Sequence, residues 1–374
     1  MNLKMMLKLR MRVTRALLLW LMSGIMVSRL GLVASTRVPA MFIFGDSLVE
    51  VGNNNYLSSI AKSNYFPYGI DFNRGPTGRF CNGKTFVDIL AELLGLPYPP
   101  AFADPNTAGA RLLGGVNYAS AAAGILDETG QHYGQRYSLR QQVANFETTV
   151  YQLRTTVGMG GGNLSDFLGK SMAVLVFGSN DYINNYLMPA IYSSSFNYSP
   201  PQFANLLLNN YARQLVALYG LGLRKFLLAG IGPLGCIPNQ RASGQSPPDR
   251  CVDYVNQMLG TFNEGLHSLV DQLNRQPGAM YAFGNTYAAV GDILNNPATY
   301  GFNVVDRGCC GIGRNQGQIT CLPFAIPCTN RNVFVFWDAF HPTQSVNNIL
   351  ARRAFSGPPR DCYPINVQQM TLFS

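Results

Sequence analysis

Ala40-Met41-Phe42-Ile43-Phe44-Gly45, followed at once by Asp46-Ser47-Leu48, is the stretch on which the fold of this chain turns. A brief run that is apolar throughout and stops at glycine reads as a strand covered on both faces, the signature of a parallel sheet. Three further runs repeat the pattern at residues 172–178 (MAVLVFG), 225–230 (KFLLAG) and 280–283 (MYAF), with 116–120 (VNYAS) a weaker fifth. Between them, residues 85–94, 139–157, 202–219 and 251–274 carry apolar side chains at helical spacing. In the last, Val255, Met258, Leu259, Phe262, Leu266, Leu269 and Leu273 form one stripe. Strand–helix alternation predicts an α/β fold, a mainly parallel sheet of about five strands between helices. No repeat, low-complexity run or linker divides the chain, so residues 36–374 are expected to form one domain. Gly/Pro-rich stretches at 73–83, 97–115, 238–248 and 308–328 are expected as surface loops shaping a cleft at the carboxyl edge of the sheet.

The net charge of +9 invites a nucleic-acid reading, but its location argues otherwise. Six of the 28 basic residues (Lys4, Lys8, Arg10, Arg12, Arg15 and Arg29) precede residue 36, where no acid occurs, leaving 22 basic against 19 acidic side chains. The remainder shows no basic patch interleaved with aromatics of the kind a nucleic-acid surface needs. The first 35 residues read as a secretory signal: a basic start, an apolar stretch at 16–27 and small residues around Val33-Ala34-Ser35. That stretch is short for a bilayer span of about 20 residues, and no later segment is long and apolar enough. A secreted, extracellular protein without a stable span after cleavage follows.

Eight cysteines (81, 236, 251, 309, 310, 321, 328 and 362) suit an oxidising compartment. They permit 105 pairings, of which Cys236–Cys251 is the one specific local expectation. The 309–328 cluster lacks a C-x₂-C pair, which disfavours zinc. Asn163-Leu164-Ser165 and Asn197-Tyr198-Ser199 are glycosylation sequons, the second weakened by Pro200.

Ser47 follows the first strand, where a hydroxyl is exposed at the sheet edge, but serine is a poor nucleophile unless a base takes its proton. Only three histidines exist. His267 lies on the polar face of the 251–274 helix and reads as a solvated surface residue. His132 sits in a loop with no acidic partner pattern and reads as structural. His341 follows an aromatic run in Asp338-Ala339-Phe340-His341-Pro342, where one turn would set the Asp338 carboxylate against its ring. Taken alone, that pentapeptide reads more readily as a mere turn before a helix. The strand at 172–178 ends in Gly178-Ser179-Asn180-Asp181; this is turn-rich, yet it brings the Asn180 amide to the edge that carries Ser47, where it could stabilise an oxyanion. Residues 116–124 either pack small side chains or lend a backbone N–H to the same hole.

Gly230-Ile231-Gly232-Pro233-Leu234-Gly235 fits a dinucleotide fingerprint, but that motif needs a helix to open at once, and Pro233 and Pro238 prevent one. The G-x-S-x-G elbow of another hydrolase fold is absent.

The combination resembles the GDSL esterase/lipase branch of the SGNH hydrolases, especially the plant secreted subgroup, over nearly all of the chain after residue 35. It rests on Phe42–Leu48, Pro76–Phe80 with Asn82-Gly83-Lys84, Gly115–Ser120, Val176–Asp181 and Phe336–Thr343, all in the family's order. The resemblance implies a flavodoxin-like three-layer α/β/α sandwich, a catalytic triad of Ser47, Asp338 and His341, and an oxyanion hole from the Ser47 N–H, the Asn180 side chain and a backbone N–H assigned to Ala122. It implies hydrolysis of carboxylic esters, acyl lipids in particular, through an acyl-serine, with no metal or organic cofactor and no nucleic-acid partner. The same residues would serve an acyltransferase, and an inactive secreted binding protein is the reading from another class. Where the family commonly has Gly-Gly, this chain has Ala121-Ala122; alanine keeps the donor at negative φ but not in a conformation open to glycine alone.

Overall fold

The computed structural model describes residues 38–245, 247 and 250–373. The expected signal segment, 1–35, lies outside the described residues.

Four parallel strands form the centre: β1 (Met41–Gly45), β2 (Met172–Val176), β3 (Lys225–Ala229) and β4 (Met280–Gly284), in the order β1-β2-β3-β4. The weak fifth stretch does not form a continuous strand. It runs beside β1 as an edge, with Ile43 N–H donating to Val116 O (3.0 Å), Tyr118 N–H to Ile43 O (2.8 Å) and Ser120 N–H to Gly45 O (3.0 Å). Counting it, the edge order is that of flavodoxin-like sheets, with the topological switch between β1 and β2. A two-residue strand closes the far side instead: β7 (Cys362–Tyr363), antiparallel to β4. A separate parallel pair, β5 (Val304–Gly308) and β6 (Phe334–Phe336), stands outside the main sheet.

Successive strand residues point to opposite faces, and both faces are buried. Phe42, Phe44, Leu175, Phe226, Leu228 and Phe283 pack with the helices Leu139–Met159, Pro200–Gly220 and Asp253–Leu273. Met41, Ile43, Met172, Val174 and Leu227 pack with Phe86–Leu94 and Gln344–Ser356. The result is the three-layer α/β/α arrangement, in which each fully buried Phe or Leu contributes about 1.5–3 kcal/mol. On Asp253–Leu273 the buried stripe uses Val270, and Leu269 is only partly buried. Both positions fit helical spacing from Leu266 and Leu273; the packing surface selects between them.

Thr85 caps Phe86–Leu94 through a capping box with Asp88. The same Asp88 takes both Nε and Nη2 of Arg79, each at 2.7 Å, so the Pro76–Phe80 motif is anchored to that helix. The Gly230–Gly235 motif itself opens no helix beyond a short 3₁₀ turn at Leu234–Cys236. Pro238, expected to prevent a helix, instead begins a five-residue one, Pro238–Ala242, because its missing N–H is no loss at a first helical position. Three disulfides form: Cys236–Cys251, as expected, with Cys309–Cys328 and Cys310–Cys321 closing one loop. Cys81 and Cys362 are buried and free, so the even count of eight does not mean four bridges. Among the described residues no helix is long and apolar enough to cross a membrane, and no cluster of His, Cys, Asp and Glu could hold a metal ion.

Candidate active site

At the carboxyl end of β1 the backbone is held by hydrogen bonds to Gln142 and to β2. Gly45 N–H donates to Gln142 Oε1 (2.8 Å), Gln142 Nε2 returns a bond to Gly45 O (2.8 Å), and Asp46 N–H donates to Val176 O (3.2 Å). A Cβ on residue 45 would meet Val176 O at 2.9 Å and Val49 Cγ2 at 2.4 Å, so glycine is required for this close approach. Asp46 Oδ1 accepts Leu48 N–H (2.9 Å), which tightens the turn and leaves half-buried Ser47 projecting into the cleft. Burial pushes the Asp46 carboxyl up to about 7, opposed by the Leu48 N–H and by His341.

His341 arrives from the other end of the chain on the loop after β6. Trp337 N–H donates to His341 O (2.8 Å), and Asp338 Oδ1 accepts the N–H groups of Phe340 (2.9 Å) and His341 (2.8 Å). This is the single turn that the i, i+3 spacing needs. It sets His341 Nδ1 at 2.9 Å from both Asp338 oxygens, while His341 Nε2 lies 2.8 Å from Ser47 Oγ. Asp338 is fully buried. Burial alone would raise its pKa, but the His341 charge and hydrogen bonds from His341, Tyr68 and Phe340 outweigh it and hold the carboxyl below its usual range. Phe80, next to the anchored Arg79, packs against the imidazole with ring centroids 5.1 Å apart.

β2 delivers Asn180. Gly178 takes φ +109°, in the left-handed region, and a side chain there would also press on Ile231 at 2.7 Å. Asn180 Nδ2 donates to Ala123 O (2.9 Å) and Oδ1 accepts from Asn184 Nδ2 (2.7 Å). One amide hydrogen stays unused, and the residue lines the same cleft as Ser47. Its neighbour Asp181 is fully buried, its carboxyl pushed by burial to about 6 against the N–H groups of Ile125 and Leu126 and the Thr129 hydroxyl, all of which it accepts. These bonds tie the end of β2 to the loop that carries Ala122.

Ala122 also lines the cleft, and its φ is +63°, not the negative value at which alanine replaces glycine freely. An L-residue reaches that region at about 1–2 kcal/mol, so the chain keeps a glycine-type backbone despite the side chain. Among the described residues, neither the Ser47 N–H nor the Ala122 N–H donates to a protein acceptor.

The remaining histidines do other things. His132 is half-buried, 2.8 Å from the Tyr192 hydroxyl and against the Tyr133 ring; burial, then Arg136, lowers its pKa. His267 is partly exposed, stacked on Tyr363 at 4.2 Å and 4.0 Å from Asp271. Neither lines the cleft.

Four residues of the site escaped sequence reasoning. Tyr68 donates to Asp338, Gln142 brackets Gly45, Asp181 orders the Ala122 loop, and Asn54 Oδ1 accepts both Ser120 Oγ (2.6 Å) and Ala121 N–H (3.0 Å). The run Asn53-Asn54-Asn55 just beyond Ser47 is the one local signal, since buried asparagines need backbone partners.

The cleft holds about 270 Å³ and is walled mainly by apolar groups, among them Tyr65, Ile183, Leu234, Ile237 and Phe340.

The sequence model of the GDSL-like lipase/acylhydrolase family matches residues 41–354. The chain is 70% identical over 337 residues to GDSL esterase/lipase At1g71250 of Arabidopsis thaliana, covering 90% of each chain. It is 56% identical to GDSL esterase/lipase At5g08460 of the same plant, covering 89% of this chain and 87% of the relative. Identity to GDSL esterase/lipase At1g29670, also from Arabidopsis thaliana, is 53%, with coverages of 90% and 92%.

Proposed function

The chain belongs to the GDSL-like lipase/acylhydrolase family and is a carboxylic ester hydrolase; from this we propose that Ser47, His341 and Asp338 are its catalytic triad, acting on acyl lipids outside the cell. The observation that carries the proposal is the 2.8 Å separation of Ser47 Oγ and His341 Nε2, with Asp338 on the opposite ring nitrogen.

As Ser47 Oγ attacks the ester carbonyl carbon, His341 Nε2 takes its proton. Asp338 fixes the tautomer and stabilises the imidazolium. The tetrahedral oxyanion is met by the N–H groups of Ser47 and Ala122 and by the free amide hydrogen of Asn180, a donor set whose single members are worth about 3–4 kcal/mol. His341 then hands its proton to the leaving alcohol, leaving acyl-Ser47. Water, deprotonated by His341, attacks that ester; the proton returns to Ser47 and the acid leaves. The apolar walls of the cleft suit an acyl chain.

Residues 36–374 act as one hydrolase domain after removal of the leader. Three disulfides and two exposed sequons support passage through an oxidising secretory route. The test is labelling with a serine-directed phosphonate. Adduct on the Ser47 peptide is expected, blocked by His341→Ala; folded protein that stays unlabelled and hydrolyses no p-nitrophenyl ester overturns the reading.

A further inference from the structure

The loop from Cys309 to Cys328 is cross-linked twice, by Cys309–Cys328 and Cys310–Cys321. Its tip reads Leu322-Pro323-Phe324-Ala325-Ile326. Ala325 turns inward and packs on the cluster around Tyr68, Phe80 and Trp337, whereas Phe324 is 90% and Ile326 is 95% exposed. Phe324 sits at φ +63°, a region bulky L-residues avoid. The fold therefore holds two large apolar side chains in water by disulfides and strained backbone.

A second loop continues this face. Phe324 N–H donates to Phe66 O (2.9 Å), and Phe66 is 52% exposed. Tyr65 donates its hydroxyl hydrogen to Cys321 O (2.9 Å), locking the loops together. Ile60, 79% exposed, lines the cleft mouth with Tyr65 and Thr320. Single exposed apolar residues are ordinary, but a cluster that runs into a ligand cleft marks an interaction surface.

The charge on these loops is one-sided. Residues 51–70 and 309–337 contain no Asp or Glu; they carry Lys62, Arg314 and Arg331. Arg331 is paired with Asp71 from outside those stretches (2.6 Å), whereas Lys62 and Arg314 have no such carboxylate among the described residues. The two loops thus combine exposed apolar side chains with cations and carry no acid of their own, a composition that complements acyl chains beneath anionic headgroups.

We propose that this face docks on a lipid surface, with Phe324 and Ile326 inserted among the acyl chains and Lys62 and Arg314 at the headgroups, so that the cleft mouth opens onto membrane-borne esters. The choice of a lipid surface rests on the acyl-lipid reading of the cleft; the docking itself requires no turnover.

The test is flotation of the mature protein with vesicles of phosphatidylcholine containing a minor fraction of phosphatidylglycerol. Wild type and Ser47→Ala are expected to float alike. The double variant Phe324→Asn/Ile326→Gln, in which asparagine tolerates the positive φ, is expected to partition about tenfold more weakly or worse. Its hydrolysis of water-soluble p-nitrophenyl acetate should equal wild type, which also shows that it folds. Wild-type protein that does not float, or a double variant that floats equally, overturns docking. So does a wild-type dimer by light scattering that becomes monomeric in the double variant without any vesicle binding, because the face is then a subunit interface. Phosphonate labelling of Ser47 separates the two ideas: flotation without labelling sinks the proposed chemistry and sustains docking, and labelling without flotation does the reverse.

Discussion

The Tyr68 hydroxyl donates to Asp338 Oδ2 at 2.6 Å, across 270 positions of sequence. Asp338 is thereby held by His341 Nδ1, two backbone N–H groups and a phenol, with Thr320 Oγ1 farther off at 3.4 Å. Burial and the carboxylate both push the Tyr68 hydroxyl well above its ordinary pKa, so it remains a donor at any working pH. A buried carboxylate with this many donors stays ionised, as a partner for an imidazolium must.

Tyr68→Phe removes that bond and leaves one Asp338 oxygen short of a donor. A hydrogen bond to a charged group is worth about 1.5–3 kcal/mol, and a loss of that size is expected by urea denaturation. Activity should drop less than in the triad variants, because His341 keeps its own contact.

Ser47→Ala and His341→Ala should each lower kcat/KM for p-nitrophenyl butyrate by about 10⁴-fold or more, with circular dichroism unchanged. His267→Ala, which removes a ring stacked on Tyr363, should leave turnover within about twofold of wild type. Substantial residual turnover in either triad variant would count against the assignment.

Asn180→Ala should lower kcat by about 10²–10³ with KM little changed, the pattern of a donor used mainly in the transition state. A raised KM at unchanged kcat would instead mark a ground-state binding group.

At position 122 the backbone already has the left-handed φ, so Ala122→Gly relieves strain and gives back part of the gain through unfolded-state entropy. A net stabilisation of up to about 1 kcal/mol is expected, with esterase activity retained. Ala122→Val should destabilise, since a branched Cβ fits this region worse still.

Glu50 is fully buried; Oε1 accepts Asn54 N–H at 2.7 Å and Oε2 meets no partner. Burial pushes its carboxyl up to about 8, opposed by backbone N–H groups including that of Asn54. A folded pKa above the unfolded one means the folded state keeps the proton. Its stabilising contribution is complete below about pH 4.5 and is lost as pH rises through about 8. Glu50→Gln retains the Oε1 acceptor and cannot ionise. Its Tm should exceed that of wild type by at least about 2 °C at pH 9 and differ less at pH 5. Equal gaps at both pH values would show that the group does not titrate in this window.

The strands and long helices were legible because each buries its face within its own length, leaving a run or a stripe in the sequence. The exceptions are instructive. Residues 116–120 hydrogen-bond to β1 without forming a continuous strand, and Cys362–Tyr363 is too short to carry a pattern. Val270 and Leu269 both satisfy helical spacing, and only the surface packed against them decides which is buried.

By itself the chain determined what local chemistry can specify: a hydroxyl set by Gly45 at a strand end, a carboxylate three residues before a histidine, and an amide after Gly178. Tertiary structure alone decided that Tyr68 would meet Asp338 and Asn54 the Ala121 backbone, that Ala122 would adopt a positive φ, and which six of eight cysteines would pair. The physical reason is range. A turn or a helical stripe is fixed by neighbours within a few residues, whereas a hydrogen bond across 270 positions depends on where every intervening loop closes, and loop closure leaves no periodic mark on the residues that meet.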